Sequence, residues 1–384
     1  MTRVHLDHNA TTPMRPEVRA HLLHVLDTLG GNPSSVHRAG RAARAILDEA
    51  RARAAAALRV HEDEIVFTSG GTESVNLALL GAARARREHG AMITTAAEHS
   101  AVLGAADEIA ARGWTVTRVG VDRACRVDPD EIARLVAAGG VDLVSVMTAN
   151  NEVGTLQPIA AIGAGLARRG RERPLFHTDA AQALGRVQLD LAAWHVDLAS
   201  FSVHKVGGPL GVGILAKRKG VALRGPLFGG GQEGGVRPGT ENVPAISAAA
   251  LALEAAVREQ AAFAVTSRAL SLQLWSEVQH SLDDVELLGP PIDSEERLPN
   301  TLNLSFGGVD GRMLVARLDL EGLEASAGSA CASGSLEPSH VLLAMGLAPE
   351  RARSGLRLSL GRATTPQDVH MAVDILRRSV SALR

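Results

Sequence analysis

Between Ile65 and Lys205 the sequence repeats one unit: a short apolar run, a polar or glycine-rich tip, and a helical stretch. Ile65-Val-Phe-Thr68 leads into Ser69-Gly-Gly-Thr-Glu73 and the helical run Ser74 to Glu88, and Met92-Ile-Thr-Thr95 leads into Glu98-His99-Ser100 and another helix. Trp114 to Val121 alternates as a strand does, and Asp128-Pro129 caps a following helix. Val141 to Thr148 runs into Asn150-Asn-Glu-Val-Gly154, Pro174 to Thr178 into Asp179-Ala-Ala-Gln182, and Val196 to Val203 into His204-Lys205. Alternation of this kind predicts an α/β fold with a mostly parallel central sheet covered by helices. Such sheets bind ligands beyond the carboxyl ends of their strands. Thr72, His99, Asn151, Asp179, Gln182 and Lys205 should therefore converge on one pocket.

Around this repeat lie a helical patch at about residues 16 to 28 and a helix from Arg41 to Leu58. Gly225 to Gly239 is too glycine-dense for anything but loop, and a long helical stretch from Thr240 to about Ser281 leads to the remainder. Asn300 to Phe306 and Leu314 to Leu320 suggest a smaller α+β unit, closed by a helix from Pro366 to Leu383. The expected division is a large domain, 13–257, and a small one made of 1–12 plus 258–384. With 384 residues, of which 46% are hydrophobic and 21% charged, the chain has ample core. A net charge of -2 offers no basic field for direct nucleic-acid binding. No stretch has the roughly 18 consecutive apolar residues of a membrane span, and the expected location is cytoplasmic. Cys125 and Cys331 make no disulfide framework and no metal-ligand pair, so no intrinsic metal site is expected.

Of forty basic residues only Lys205, Lys217 and Lys219 are lysines. The last two flank Arg218 and read as surface charge, whereas Lys205 follows an apolar strand and precedes a glycine-rich turn. Alone it reads as a snorkelling lysine at a strand end. The other strand ends supply what a second reading needs: Asp179 as carboxylate, His99 as imidazole, and Ser69-Gly-Gly-Thr72 as a turn opening a helix. Together these are the parts that hold pyridoxal phosphate. Its aldehyde takes a lysine, its ring nitrogen a carboxylate, and its phosphate the amides of a helix N-terminus.

Phe67-Thr-Ser-Gly-Gly-Thr-Glu-Ser74, Ala97-Glu-His-Ser100, Ala149-Asn-Asn-Glu-Val-Gly-Thr155 and His177-Thr-Asp-Ala-Ala-Gln182 continue in order with Ser202-Val-His-Lys205, Arg237-Pro-Gly-Thr-Glu-Asn242 and Gly328-Ser-Ala-Cys-Ala-Ser-Gly334. The set closely resembles the cysteine desulfurases of the NifS/IscS type, within the class V aminotransferases, and spans almost the whole chain. The resemblance implies the fold type I of pyridoxal-phosphate enzymes and removal of sulfur from L-cysteine, giving alanine and a persulfide on Cys331. It implies that Lys205 carries the cofactor, Asp179 pairs with its ring nitrogen, and His99 stacks on the ring and carries protons. Gln182 and Asn151 would lie near the ring hydroxyl, Gly71, Thr72, Ser202 and His204 around the phosphate, joined by Thr240 from the other subunit of a homodimer. Arg357 would grip the substrate carboxylate, with Asn151 also binding substrate. The sulfur would pass to an iron-sulfur scaffold or a tRNA-thiolation relay, with Cys331 a transient cluster ligand in scaffold complexes.

Cys331 lies in Ala325 to Ser335, where every other residue is alanine, serine or glycine; with little bulk to pin it, this segment is expected to be a mobile loop that carries a thiol. Cys125 reads as inert. Two departures from the family pattern, Leu210 and Gly234, bear on loop packing and the dimer seam. Rival readings are another class V enzyme, an aminotransferase or selenocysteine lyase, and a catalytically idle pyridoxal-phosphate-binding partner.

Overall fold

The computed structural model describes residues 3–86, 88–328 and 337–384. The chain begins β1 (Val4–His5), α1 (Pro16–Thr28), α2 (Arg38–Leu58), β2 (Ile65–Thr68), α3 (Gly71–Arg86), β3 (Ala91–Thr95) and α4 (Ser100–Ala111). It continues β4 (Thr115–Val119), α5 (Pro129–Ala137), β5 (Leu143–Ser145), α6 (Ile159–Ala167), β6 (Leu175–Asp179), β7 (Leu198–Ser202) and β8 (Gly213–Lys217). The last part is α7 (Val243–Ser281), β9 (Val285–Leu288), β10 (Thr301–Phe306), α8 (Gly311–Glu321), β11 (Leu323–Glu324), α9 (His340–Ala344), α10 (Pro349–Arg353), β12 (Gly355–Ser359) and α11 (Pro366–Leu383).

Seven strands form the main sheet in the order β2-β8-β7-β6-β5-β3-β4. The pairs from β4 across to β7 are parallel, as the alternation predicts, and β8 runs antiparallel to both β7 and β2. The reversal follows from chain length: residues 203–212 are too few for a helical crossover, so the chain returns as a hairpin. The sheet is apolar on both faces because helices cover both, and Phe67, Phe176 and Phe201 are 2%, 0% and 0% exposed. Each such side chain contributes about 1.5–3 kcal/mol by leaving water.

The 39-residue helix α7 joins two cores. Its first half, including Ala248, Ala252 and Leu253, packs with the main sheet; Leu270, Leu274 and Val278 pack with Leu302, Leu304, Leu356, Leu358 and Leu376 of the C-terminal third. Val4 and Leu6 join that second cluster, so the start of the chain packs with its end. There β12, β10 and β9 form an antiparallel sheet in that order, with Asn303 beside Arg357. The expected strand Val196 to Val203 is trimmed to Leu198–Ser202, and Val203–Val206 instead forms a single 3-10 turn that contains Lys205. The long helix starts at Val243 rather than Thr240, because the Asn242 side chain accepts from the Ala245 amide at 3.3 Å and caps it.

Candidate active site

The carboxyl ends of β2, β6 and β7 open on a cavity of about 340 Å³ lined by Gly71, Thr72, His99, Asn151, Asp179, Ser202, His204, Lys205 and Arg357. On one wall α3 begins at Gly71, its free amides and dipole directed at this space. A side chain at Gly71 would meet the Ser202 Cβ at 3.2 Å, and one at Gly213 would strike the Gly70 backbone at 2.4 Å. Glycine at these two places lets the turn and strand close into a backbone cradle of the size a phosphate needs.

Lys205 sits in the 3-10 turn that follows β7, and its carbonyl accepts from the Thr12 hydroxyl at 3.1 Å. Gly207 after it has φ +84°, and any Cβ there would press on Arg15 at 2.8 Å, so the turn that aims Lys205 depends on glycine. Asp179 ends β6, one oxygen accepting from the Ala181 amide at 3.0 Å. His99 caps α4, its Nδ1 accepting from the Ala101 amide at 3.1 Å, which leaves the proton of the neutral ring on Nε2. Burial, then the nearby Lys205 and His340, push its pKa below the usual imidazole value, with Asp179 opposing. His204 is pushed down to about 4 by burial and by Lys205, and its Nδ1 lies 3.0 Å from the Thr11 hydroxyl. Both shifts favour the neutral ring.

Arg357 is 1% exposed and donates to Asp7 Oδ1 at 2.6 Å and to the Asn151 carbonyl at 3.2 Å. Asp7 is thus the anion that a buried arginine requires, and its Oδ2 accepts from Ser326 at 3.0 Å. The buried Arg357 Nε has no partner among the described residues. Asp7 was legible only as part of a polar N-terminal turn, since its partner lies 350 residues away. Glu98, next to His99, is fully buried and was likewise not singled out. Its Oε1 accepts from the Met147 amide at 2.8 Å and the Thr95 hydroxyl at 3.1 Å, and burial raises its pKa to about 8.

Two candidates lie off the cavity wall. Gln182 is buried, giving its amide to the Asn9 carbonyl at 3.0 Å and accepting from Arg186 four residues on, so it supports the wall from behind Asn9. Thr240 is exposed on the loop before α7, outside this cavity. Cys331 and the body of its segment lie outside the described residues. Lys217 also ends a strand, but the strand is reversed: Lys217 pairs with Leu198, at the end of the strands away from the cavity, and donates to the Val221 carbonyl at 3.3 Å. Cys125 sits in a buried turn with φ +65°, and burial pushes its thiol well above the usual range.

A lysine, a carboxylate and a glycine cradle at a helix N-terminus fit pyridoxal 5'-phosphate, and they define an α/β enzyme built around that cofactor. Residues 4–371 match the family described as aminotransferase class-V. A curated relative, "Cysteine desulfurase IscS" of Dictyoglomus turgidum, is 42% identical over 99% of this chain and 95% of its own. Its namesake from Methanosarcina thermophila is also 42% identical, over 99% of this chain and 93% of its own. Among solved structures, one titled "NIFS-LIKE PROTEIN" superposes with a TM-score of 0.91 at 36% identity, covering 99% of this chain and 100% of that one. The chain belongs to the class-V aminotransferase family, in its cysteine desulfurase branch of the NifS/IscS type, and is a pyridoxal 5'-phosphate-dependent enzyme of fold type I.

Proposed function

We propose that this chain is a cysteine desulfurase in which L-cysteine is held by Arg357, worked on beside Lys205 and His99, and relieved of its sulfur by Cys331. The observation that carries the reading is the meeting of Lys205, Asp179, His99 and Arg357 around one cavity beside a phosphate-sized cradle. When bound, the cofactor supplies an electron sink for the substrate's α-carbon. Lys205 would hold the cofactor through its aldehyde carbon, and its Nζ is the base placed to take the substrate's α-proton. Asp179 holds a proton on the ring nitrogen. Gly71, Thr72, Ser202 and His204 would hold the phosphate, with the partner subunit's Thr240 beside them; Asn151 would fix the ring hydroxyl's side, with Gln182 bracing that wall through Asn9. The neutral His99 stacks on the ring and carries a proton from its Nε2. The Cys331 thiolate attacks the substrate sulfur: an S–S bond forms, the C–S bond breaks with its electron pair left on the β-carbon, that carbon gains a proton, Lys205 returns a proton to the α-carbon, and the product leaves as alanine. The persulfide is the oxidised product of the sulfur and the alanine methyl the reduced product of the carbon, so no outside oxidant is needed.

The same reading includes a homodimer, a large domain of 13–257 and a small domain of 1–12 plus 258–384. The exposed Thr240 and an apolar groove that includes Met14, Leu22, Leu26 and Leu210 support the dimer. Sulfur passes to an iron-sulfur scaffold or a tRNA-thiolation relay in the cytoplasm, Cys331 serving as a transient cluster ligand at the scaffold. A solved relative titled "SspA in complex with cysteine", 31% identical over 93% of this chain with a TM-score of 0.79, supports cysteine as substrate. The test is product analysis with L-cysteine and dithiothreitol. Equal yields of alanine and sulfide are expected; amino transfer to a 2-oxo acid without sulfide, or no turnover by the cofactor-loaded protein, would overturn the proposal. A selenocysteine lyase would turn over selenocysteine alone.

A further inference from the structure

The segment that holds Cys331 leaves the described chain at Gly328 and returns before Ser339. Its two ends meet at one buried carboxyl group. A Cβ built at Gly328, whose φ is +68°, would lie 3.5 Å from Ser339 Cβ and 3.8 Å from Glu152 Oε2. The Ser339 hydroxyl donates to that Glu152 oxygen at 2.5 Å while also accepting from the Leu342 amide, so it caps α9 and grips Glu152 at once. Glu152 is 0% exposed and follows Asn151 directly. The next residue, His340, donates its Nε2 proton to the carbonyl of Glu98 at 2.9 Å, and Glu98 directly precedes His99.

The chain returning from the cysteine segment is thus fastened at two successive residues to the two loops that present His99 and Asn151. The outgoing end is fastened as well: Ser326 pairs with the Arg357 backbone and donates to Asp7. We propose that Ser339 and His340 are positioning residues for sulfur transfer, a latch that fixes where the Cys331 segment re-enters the protein relative to the bound substrate. The latch rests on the reading of Cys331 as sulfur acceptor. Neither residue lines the cavity, so the latch positions the thiol and does not bind cysteine. Placement errors of this kind cost about ten- to a hundredfold in rate.

The experiment uses holoenzyme and L-cysteine in single turnover, trapping the protein persulfide by alkylation over time and measuring cysteine affinity by the change in cofactor absorption. Ser339→Ala with His340→Ala should slow persulfide formation by about tenfold or more while cysteine affinity stays within about threefold. Ser339→Thr and His340→Gln, which keep a hydroxyl and an N–H donor, should recover most of the rate. An unchanged rate in the double alanine variant overturns the latch, as does a loss of affinity matching the loss of rate, or a failure of the conservative pair to restore it. Cys331→Ser separates the two claims: persulfide forming on that variant at the parent rate removes the reading on which the latch stands, whatever Ser339 does.

Discussion

Replacing Arg357 by methionine tests how much of the site's order is held by one buried ion pair. The guanidinium side chain is 2% exposed and its partner Asp7 19%, so water screens the pair poorly. Methionine fills much of the same volume but leaves Asp7 with the Ser326 hydroxyl as its remaining side-chain donor. Removing one partner of a buried pair costs about 3–5 kcal/mol. Asp7 keeps some exposure, which puts the expected loss near the lower end, about 3 kcal/mol. On the role proposed for Arg357, substrate binding loses a charge-assisted fork to the carboxylate worth about 1.5–3 kcal/mol, or roughly ten- to two-hundredfold in affinity. Urea unfolding of the cofactor-free protein reads the first quantity, and cysteine titration of the holoenzyme reads the second. Adding Asp7→Asn to Arg357→Met should restore part of the stability, because the stranded charge is gone, and none of the affinity. The reasoning fails if Arg357→Met costs less than about 1 kcal/mol, or if affinity changes by less than about threefold.

Other substitutions separate the remaining parts. Lys205→Ala should leave no borohydride-reducible cofactor adduct on the protein, read by mass spectrometry, since Lys217 sits at the opposite end of the strands. Gly71→Ala should weaken cofactor binding by about tenfold or more in a pyridoxal-phosphate titration, because its methyl reaches within 3.2 Å of the Ser202 Cβ in the cradle. The Glu98 carboxyl, raised by burial from 4.5 to about 8, binds its proton more tightly folded than unfolded. Its contribution to stability is therefore present below about pH 4.5 and is lost as pH rises to about 8. Glu98→Gln should flatten that dependence and raise the unfolding midpoint at pH 8 relative to pH 5; an unchanged pH slope in urea unfolding would contradict it.

The sheet and its cavity were legible because each strand is an apolar run ending in a polar tip, and strand ends in a parallel sheet face one way. That logic places Lys205, Asp179, His99 and Thr72 at one cavity, and it leaves the direction of one strand unspecified. β8 is that case: its direction is set by the shortness of residues 203–212, a property of the connection and not of the strand. Asp7 and Glu98 were illegible for a different reason. Their roles come from burial and from partners distant in sequence, Arg357 and the Met147 amide, which no local pattern encodes. Gln182 shows the converse: its motif is local, but Arg186 four residues on draws its side chain into the wall and away from the cavity.

Mapping the sulfur tests the central claim most directly. Holoenzyme is mixed with one equivalent of L-cysteine labelled with heavy sulfur, trapped by alkylation, digested and analysed by mass spectrometry. The account predicts label on Cys331, alanine in equal amount, and none on the buried Cys125; Cys331→Ser should bind cysteine, perturb the cofactor absorption and hold no protein-bound label. Label on Cys125, or sulfur released by Cys331→Ser at the parent rate, would contradict it.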